Sequence, residues 1–183
     1  MRFLGILDLF NSPIIFILIV VIGFALVLVF SSFKPNPKQV IEDIEKTLKD
    51  NNIDYTIELS ENKNYSFILT VNNKKYIVLV LPIEKFAEVT INNVTTWEMH
   101  YGAGDKPGKA QPYKTRIPEI PSFMNTESEY DKIVLVQPDA KQIVYWKNEN
   151  EIVFVEPNTK VYGVNVLNVS DLSKFINNNN NNK

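Results

Sequence analysis

Apolar residues form one unbroken stretch near the start of the chain. From Pro13 to Phe30 every residue is apolar or glycine. A helix of ~20 such residues rises ~30 Å, which is the thickness of the hydrocarbon core of a bilayer. Ser12 is well placed to cap this helix, and the segment before it is itself largely apolar. The pattern therefore predicts a transmembrane helix over residues 13–33, preceded by a membrane-interfacial segment over residues 1–12.

After this stretch the pattern becomes that of a globular domain. Two prolines within residues 34–38 predict a short, stiff linker. Val40, Ile44 and Leu48 recur at helical spacing with charged residues between them, which predicts an amphipathic helix over residues 38–50. We expect the globular domain to cover residues 39–176.

Alternating apolar and polar residues then predict a series of β-strands. Asn72 and Asn73 tolerate left-handed backbone conformations, so they predict a tight hairpin turn. A short closing helix is expected over residues 171–176. The resulting fold class is α+β: a mixed, mainly antiparallel β-sheet with an N-terminal amphipathic helix and a short C-terminal helix. The predicted strands cover residues 53–59, 65–71, 76–81, 88–91, 95–101, 133–136, 143–146, 152–155 and 161–167.

Between residues 102 and 129 the periodicity disappears and glycine and proline become frequent. This pattern predicts a long loop, and long loops in compact domains are often functional. Basic and aromatic side chains collect in and beside it, so we predict an interaction loop that contacts a partner protein. Its candidate residues are Tyr101, Lys106, Lys109, Tyr113, Lys114 and Arg116.

Composition narrows the possible chemistry. The formal net charge is -2, and acidic residues follow the basic ones of the loop, so we expect no binding to nucleic acid. The chain has no cysteine and a single histidine, His100, which argues against disulfides, thiolate metal sites and histidine-based triads. Glu98 and His100 share a face of one predicted strand, and we interpret them as an ordinary half-exposed pair. We therefore predict no catalytic residue, cofactor or metal site.

The asparagine run near the end of the chain predicts a disordered tail over residues 177–183.

The orientation of the chain in the membrane follows from the basic residues beside the apolar stretch. Lys34 and Lys38 outnumber Arg2, so we expect a single-pass membrane protein whose C-terminal domain faces the cytoplasm. A cleaved signal peptide is the alternative, but the apolar stretch is long for one and only Arg2 precedes it as a basic side chain.

The order of predicted elements resembles a known family. The helix over residues 40–48, the strand pair 65–71 and 76–81, and the strand 133–136 follow the order of the restriction-endonuclease-like fold, and most resemble the nuclease-related domain family. That resemblance implies an aspartate on the first hairpin strand and a Glu-x-Lys on the second, which would hold a metal ion and activate water. Neither strand of this chain carries them, and Glu84-Lys85 has the wrong spacing. The resemblance therefore implies a nuclease-like fold without the nuclease site.

Three functional hypotheses remain. We favour a membrane-anchored, non-catalytic module that binds a protein at the bilayer surface. The second hypothesis is a tethered metal-dependent hydrolase with displaced acids, of which Glu42, Glu84 and Glu88 are the candidates. The third is a structural subunit of a membrane complex, with Gly23 and Ala25 as a small-residue contact between transmembrane helices.

Overall fold

The computed structural model describes Ile17, residues 19–23 and residues 37–181. The chain divides into two compact units, Met1–Pro35 and Asn36–Lys183. In the first unit, the described residues are helical and exposed. Among the described residues, no helix is both long and apolar enough to cross a membrane. Most of the predicted transmembrane helix (13–33), the whole interfacial segment (1–12) and residues 34–36 of the linker lie outside the described residues.

The second unit is an α+β domain, as predicted. It begins with helix α1 (Pro37–Asp50), whose Val40, Ile44 and Leu48 are at most 2% exposed. These positions share one face of the helix because they recur every four residues. Two further helices follow, α2 (Ile120–Met124) and α3 (Leu172–Asn181), with a 3₁₀ turn at Val169–Asp171 just before α3.

The strands form two sheets, where the sequence predicted one. The strands of the first sheet are β1 (Tyr55–Leu59), β2 (Phe67–Val71), β3 (Lys74–Pro82), β7 (Asp131–Gln137), β10 (Lys160–Val161) and β11 (Val164–Asn168). Their order in the sheet is β1-β2-β3-β7-β11-β10. Antiparallel pairing joins β1 to β2, β2 to β3 and β10 to β11, and parallel pairing joins β3 to β7 and β7 to β11.

The strands of the second sheet are β4 (Glu88–Ile91), β5 (Trp97–Tyr101), β6 (Tyr113–Arg116), β8 (Gln142–Asn148) and β9 (Glu151–Phe154). Their order in the sheet is β6-β5-β4-β8-β9. Only the β4–β8 pair is parallel. Short connections lead from β3 to β4 and from β7 to β8, so the parallel pair β3–β7 of the first sheet continues into the parallel pair β4–β8 of the second.

The central strands of the first sheet are buried on both faces, which divides the core into two clusters. On one face, α1 and α3 pack against alternate residues of β2, β3 and β7, and the rings of Tyr76 and Phe175 meet edge to face with centroids 6.0 Å apart. On the other face, residues such as Leu79 and Val134 pack against the second sheet and α2. Burial on both faces explains why β3 is a continuous apolar run and does not alternate.

The predicted hairpin turn is confirmed: Asn72 and Asn73 have φ of 50° and 62°, and they connect β2 to β3. Three other predictions need correction. The predicted loop contains β6 and α2. The single predicted strand 161–167 is two strands, separated by a turn at Tyr162 and Gly163. The asparagine tail, predicted as disordered, continues α3 as far as Asn181, because buried residues at the start of the helix anchor it to the core.

Candidate functional site: the β6 edge of the second sheet

The structure places four of the six predicted interaction residues on a hairpin and only two in a loop. Tyr101 ends β5, and Tyr113, Lys114 and Arg116 lie on β6, which pairs antiparallel with β5. Lys106 and Lys109 lie in the connection between the two strands and are exposed. The prediction of an irregular loop throughout this region was wrong, because the exposed edge strand β6 has no apolar periodicity to reveal it.

Gln111, which the sequence analysis did not single out, fixes the connection between β5 and β6. Its side chain is only 9% exposed. Its Oε1 accepts the Ala103 N–H at 2.7 Å, and its Nε2 donates to the carbonyl oxygens of Phe86 at 3.1 Å and Gly104 at 3.3 Å. Phe86 has a φ of 65°, which a bulky residue rarely adopts. One buried amide therefore ties the connection to the strained segment between β3 and β4.

An aromatic pair closes the end of the hairpin. The rings of Tyr101 and Tyr113 have centroids 5.7 Å apart, and 61% of Tyr113 is exposed. Gly102 makes room for this ring: a Cβ at that position would clash with Cδ2 of Tyr113, and the φ of Gly102 is 105°. Glycine is thus required at position 102 both by the backbone conformation and by the neighbouring ring.

The main-chain groups of β6 alternate in direction, and those of two residues face away from the sheet. The Ile117 N–H donates to the Trp97 carbonyl at 2.9 Å. Facing residue pairs in an antiparallel ladder alternate between hydrogen-bonded and non-hydrogen-bonded pairs. The main chain of Thr115 therefore forms hydrogen bonds with β5, whereas the N–H and C=O groups of Lys114 and Arg116 point away from the sheet. We call this the β6 edge. In the described part of the chain, no further strand pairs with it.

The charges beside this edge are predominantly basic. Glu98 lies on the same face of the sheet, and the side-chain amide of Asn92 hydrogen-bonds to it and holds the pKa of this carboxyl below its usual range. Lys114 Nζ is 3.6 Å from Glu98 Oε1, so it partly neutralises the carboxylate. For Arg116, Lys106 and Lys109, no carboxylate within the described residues lies at ion-pair distance. Three cationic side chains are therefore available to a ligand here.

Glu98 and His100 lie on one face of β5, as the alternation predicted. His100 Nε2 is 3.5 Å from Glu98 Oε2, and this nitrogen is buried without a hydrogen-bond partner, so the two side chains are neighbours but do not form a hydrogen bond. The acids of the hydrolase hypothesis are dispersed: Glu42 lies on α1, Glu84 follows β3, and Glu88 begins β4. Within residues 37–181, no three acidic or histidine side chains come together as a metal site.

A separate cleft of about 540 Å³ lies where the parallel strands β3 and β7 end. Such crevices often hold ligands in open α/β sheets. Its walls carry carboxylates and lysines together, among them Asp43, Asp139 and Lys85, and Gln137 Nε2 donates to Asp43 Oδ2 at 3.3 Å. This mixture of charges selects for no particular ligand, whereas the β6 edge combines predominantly basic side chains with unpaired main-chain groups.

Comparison of the chain with protein-family models, with curated proteins and with solved structures finds no match. The candidate site therefore rests on its geometry alone.

Proposed function

We propose that this chain is a membrane-tethered, non-catalytic interaction module whose globular domain binds an extended, acidic segment of a partner protein along the β6 edge. The observation that carries the proposal is the outward direction of the main-chain groups of Lys114 and Arg116. An extended segment gains affinity by adding its main-chain hydrogen bonds to such an edge, and its side chains provide specificity.

The charge of the edge defines the chemistry of the partner. A strand that pairs with β6 places its side chains beside those of Lys114 and Arg116, and carboxylates there form charge-assisted hydrogen bonds. Lys106 and Lys109 extend the positive field beyond the strand and speed the association of acidic partners. The exposed ring of Tyr113 provides an aromatic contact of the kind that is enriched at protein interfaces.

The membrane tether is supported by the sequence of residues 13–33. The unbroken apolar run from Pro13 to Phe30 is more stable among lipid tails than in water. The basic residues after it favour a cytoplasmic position of the domain, so the β6 edge would act on that side of the bilayer. A full-length chain that stays in the membrane pellet after alkaline carbonate extraction supports the tether, and release into the supernatant contradicts it.

Charge reversal on the edge tests the binding proposal. A photo-reactive amino acid replacing Thr115 in the full-length chain should cross-link, in native membranes, to an acidic segment identified by mass spectrometry. The additional changes Lys114→Glu and Arg116→Glu should abolish this cross-link, because the edge would then repel carboxylates. Raising the salt concentration should weaken the cross-link as well, since the ionic contacts are exposed.

Lys46 and Lys63 provide the matched control. Both are exposed lysines outside β6, so Lys46→Glu with Lys63→Glu makes the same change in net charge without altering the edge. We expect this control to cross-link like the wild-type chain. Equal cross-linking by the edge variant and the wild type, or equal loss in the edge variant and the control, would contradict the proposal.

A further inference from the structure

The single histidine of the chain lies beside the β6 edge. His100 is on β5, directly opposite Lys114 of β6. Glu98, two residues earlier on β5, is directly opposite Arg116. Because alternate residues of a strand share a face, these four side chains lie on one face of the second sheet. On the other side of β5, Glu88 of β4 is opposite His100, so the imidazole has carboxylates and cationic side chains as neighbours.

Glu98 is shared between His100 and Lys114. Its Oε2 lies 3.5 Å from His100 Nε2, and its Oε1 lies 3.6 Å from Lys114 Nζ. The side-chain amide of Asn92 holds the pKa of Glu98 below its usual range, so this carboxylate is charged at any pH above about 5. While the imidazole is neutral, the charges of Glu98 and Lys114 therefore cancel.

The imidazole has an unused nitrogen that faces this carboxylate, because His100 Nε2 is buried and has no hydrogen-bond partner. A neutral imidazole donates from one ring nitrogen, whereas an imidazolium donates from both. Protonation therefore allows Nε2 to donate to Glu98, in a charge-assisted bond that is stronger than a neutral one. The same proton changes the summed charge of Glu98, His100 and Lys114 from zero to +1.

We propose that protonation of His100 regulates the β6 edge, so that acidification strengthens the binding of an acidic segment. Once His100 is charged, two cations share the Glu98 carboxylate, and its attraction for Lys114 weakens. Lys114 then joins Arg116 in binding the carboxylates of the partner. Histidine is the side chain that ordinarily changes its charge between pH 5 and 8, so the change falls within the range met in cells. This inference rests on the function proposed for the β6 edge.

Peptide binding at two pH values tests the proposal. The probe is a capped peptide of alternating aspartate and threonine, whose carboxylates stay charged at pH 5.5 and whose threonines favour an extended strand. We expect the full-length chain in mild detergent to bind this peptide about three- to fivefold more tightly at pH 5.5 than at pH 7.5, because each ion pair at an exposed edge contributes modestly. The corresponding peptide of asparagine and threonine should bind equally weakly at both pH values.

Two variants should remove the pH dependence in opposite ways. His100→Gln leaves Glu98 to neutralise Lys114 at either pH, so binding should stay at the weaker wild-type level. Glu98→Gln frees Lys114 at either pH, and its side-chain oxygen can still accept from Asn92, so binding should stay at the tighter level. Glu88→Gln is the control. It removes a carboxylate opposite His100 but retains the shared one, so the pH dependence should persist.

The outcomes separate this proposal from the function on which it rests. Equal binding of the aspartate peptide at the two pH values, a pH dependence that persists in His100→Gln, or no gain in Glu98→Gln at pH 7.5 would overturn the proposal alone. A wild-type chain that never prefers the aspartate peptide to the asparagine peptide would overturn both. Circular dichroism at each pH reports whether the variants are folded, and His100→Asn replaces His100→Gln if that variant does not fold.

Discussion

Gln111 offers the most direct test of how the β5–β6 connection is held. Its buried amide uses both of its ends: the oxygen accepts one main-chain N–H, and the nitrogen donates to two carbonyl oxygens. Gln111→Glu preserves the shape and the accepting oxygen. It replaces the donating nitrogen by an oxygen that faces the carbonyls of Phe86 and Gly104. The change therefore isolates the donated bonds from the packing of the side chain.

The expected loss of stability follows from these contacts. Each donated bond contributes about 0.5–1.5 kcal/mol net, and leaving a buried polar group unpaired costs a further ~1–3 kcal/mol. We expect Gln111→Glu to lower the free energy of unfolding by about 2–4 kcal/mol at pH 7. Urea denaturation of the full-length chain, followed by tryptophan fluorescence, measures this difference. Trp97 is a suitable reporter because it begins β5, a strand of this hairpin, and is fully buried.

The loss of unfolding free energy in Gln111→Glu should depend on pH in a definite direction. Burial beside carbonyl oxygens raises the pKa of the introduced carboxyl in the folded state above its unfolded value of about 4.3. Below that unfolded value the carboxyl is protonated in both states and can donate again, so most of the stability returns. As the pH rises through the higher folded pKa, the stability is lost. The deficit should therefore be large at pH 7 and small at pH 4.

Gln142→Glu is the control, because Gln142 is only partly buried, on β8, and its side chain can reach solvent. We expect it to change the free energy of unfolding by less than about 0.5 kcal/mol at either pH. The reasoning would be refuted if Gln111→Glu were as mild as this control at pH 7. It would also be refuted if the deficit of Gln111→Glu grew as the pH fell.

Two further predictions concern a glycine and an ion pair. Gly102→Ala should destabilise the domain by about 1–3 kcal/mol through its φ of 105° and the Tyr113 ring. Gly108→Ala, with open space around it, should cost only about 1 kcal/mol, and equal thermal shifts in the two variants would contradict this. Asp131→Asn removes a carboxylate 2.6 Å from Lys74, which holds the pKa of Asp131 below its usual range. Its cost of about 0.5–1 kcal/mol at neutral pH should fade as the pH drops through that lowered pKa, and a cost that does not change on acidification would refute it.

The amino-acid sequence determined most of the secondary structure of the domain. Helix α1, the hairpin at Asn72 and the central strand β3 follow from hydrophobic periodicity and turn chemistry, because both act between residues close in the chain. The same local reasoning failed at β6, all four residues of which are exposed. An edge strand with no buried side chain leaves no apolar pattern, so its pairing with β5 cannot be read from its own residues.

Only the tertiary structure decided how the strands divide into two sheets and which of their edges remain open. Sheet membership depends on the pairing of β3 with β7 and of β4 with β8, and these partners are far apart in the chain. The role of Gln111 likewise depends on Phe86, which comes long before it in the sequence. Local composition specifies which segments bury their side chains, whereas the direction of an unpaired main-chain group is fixed only when the neighbouring strand is in place.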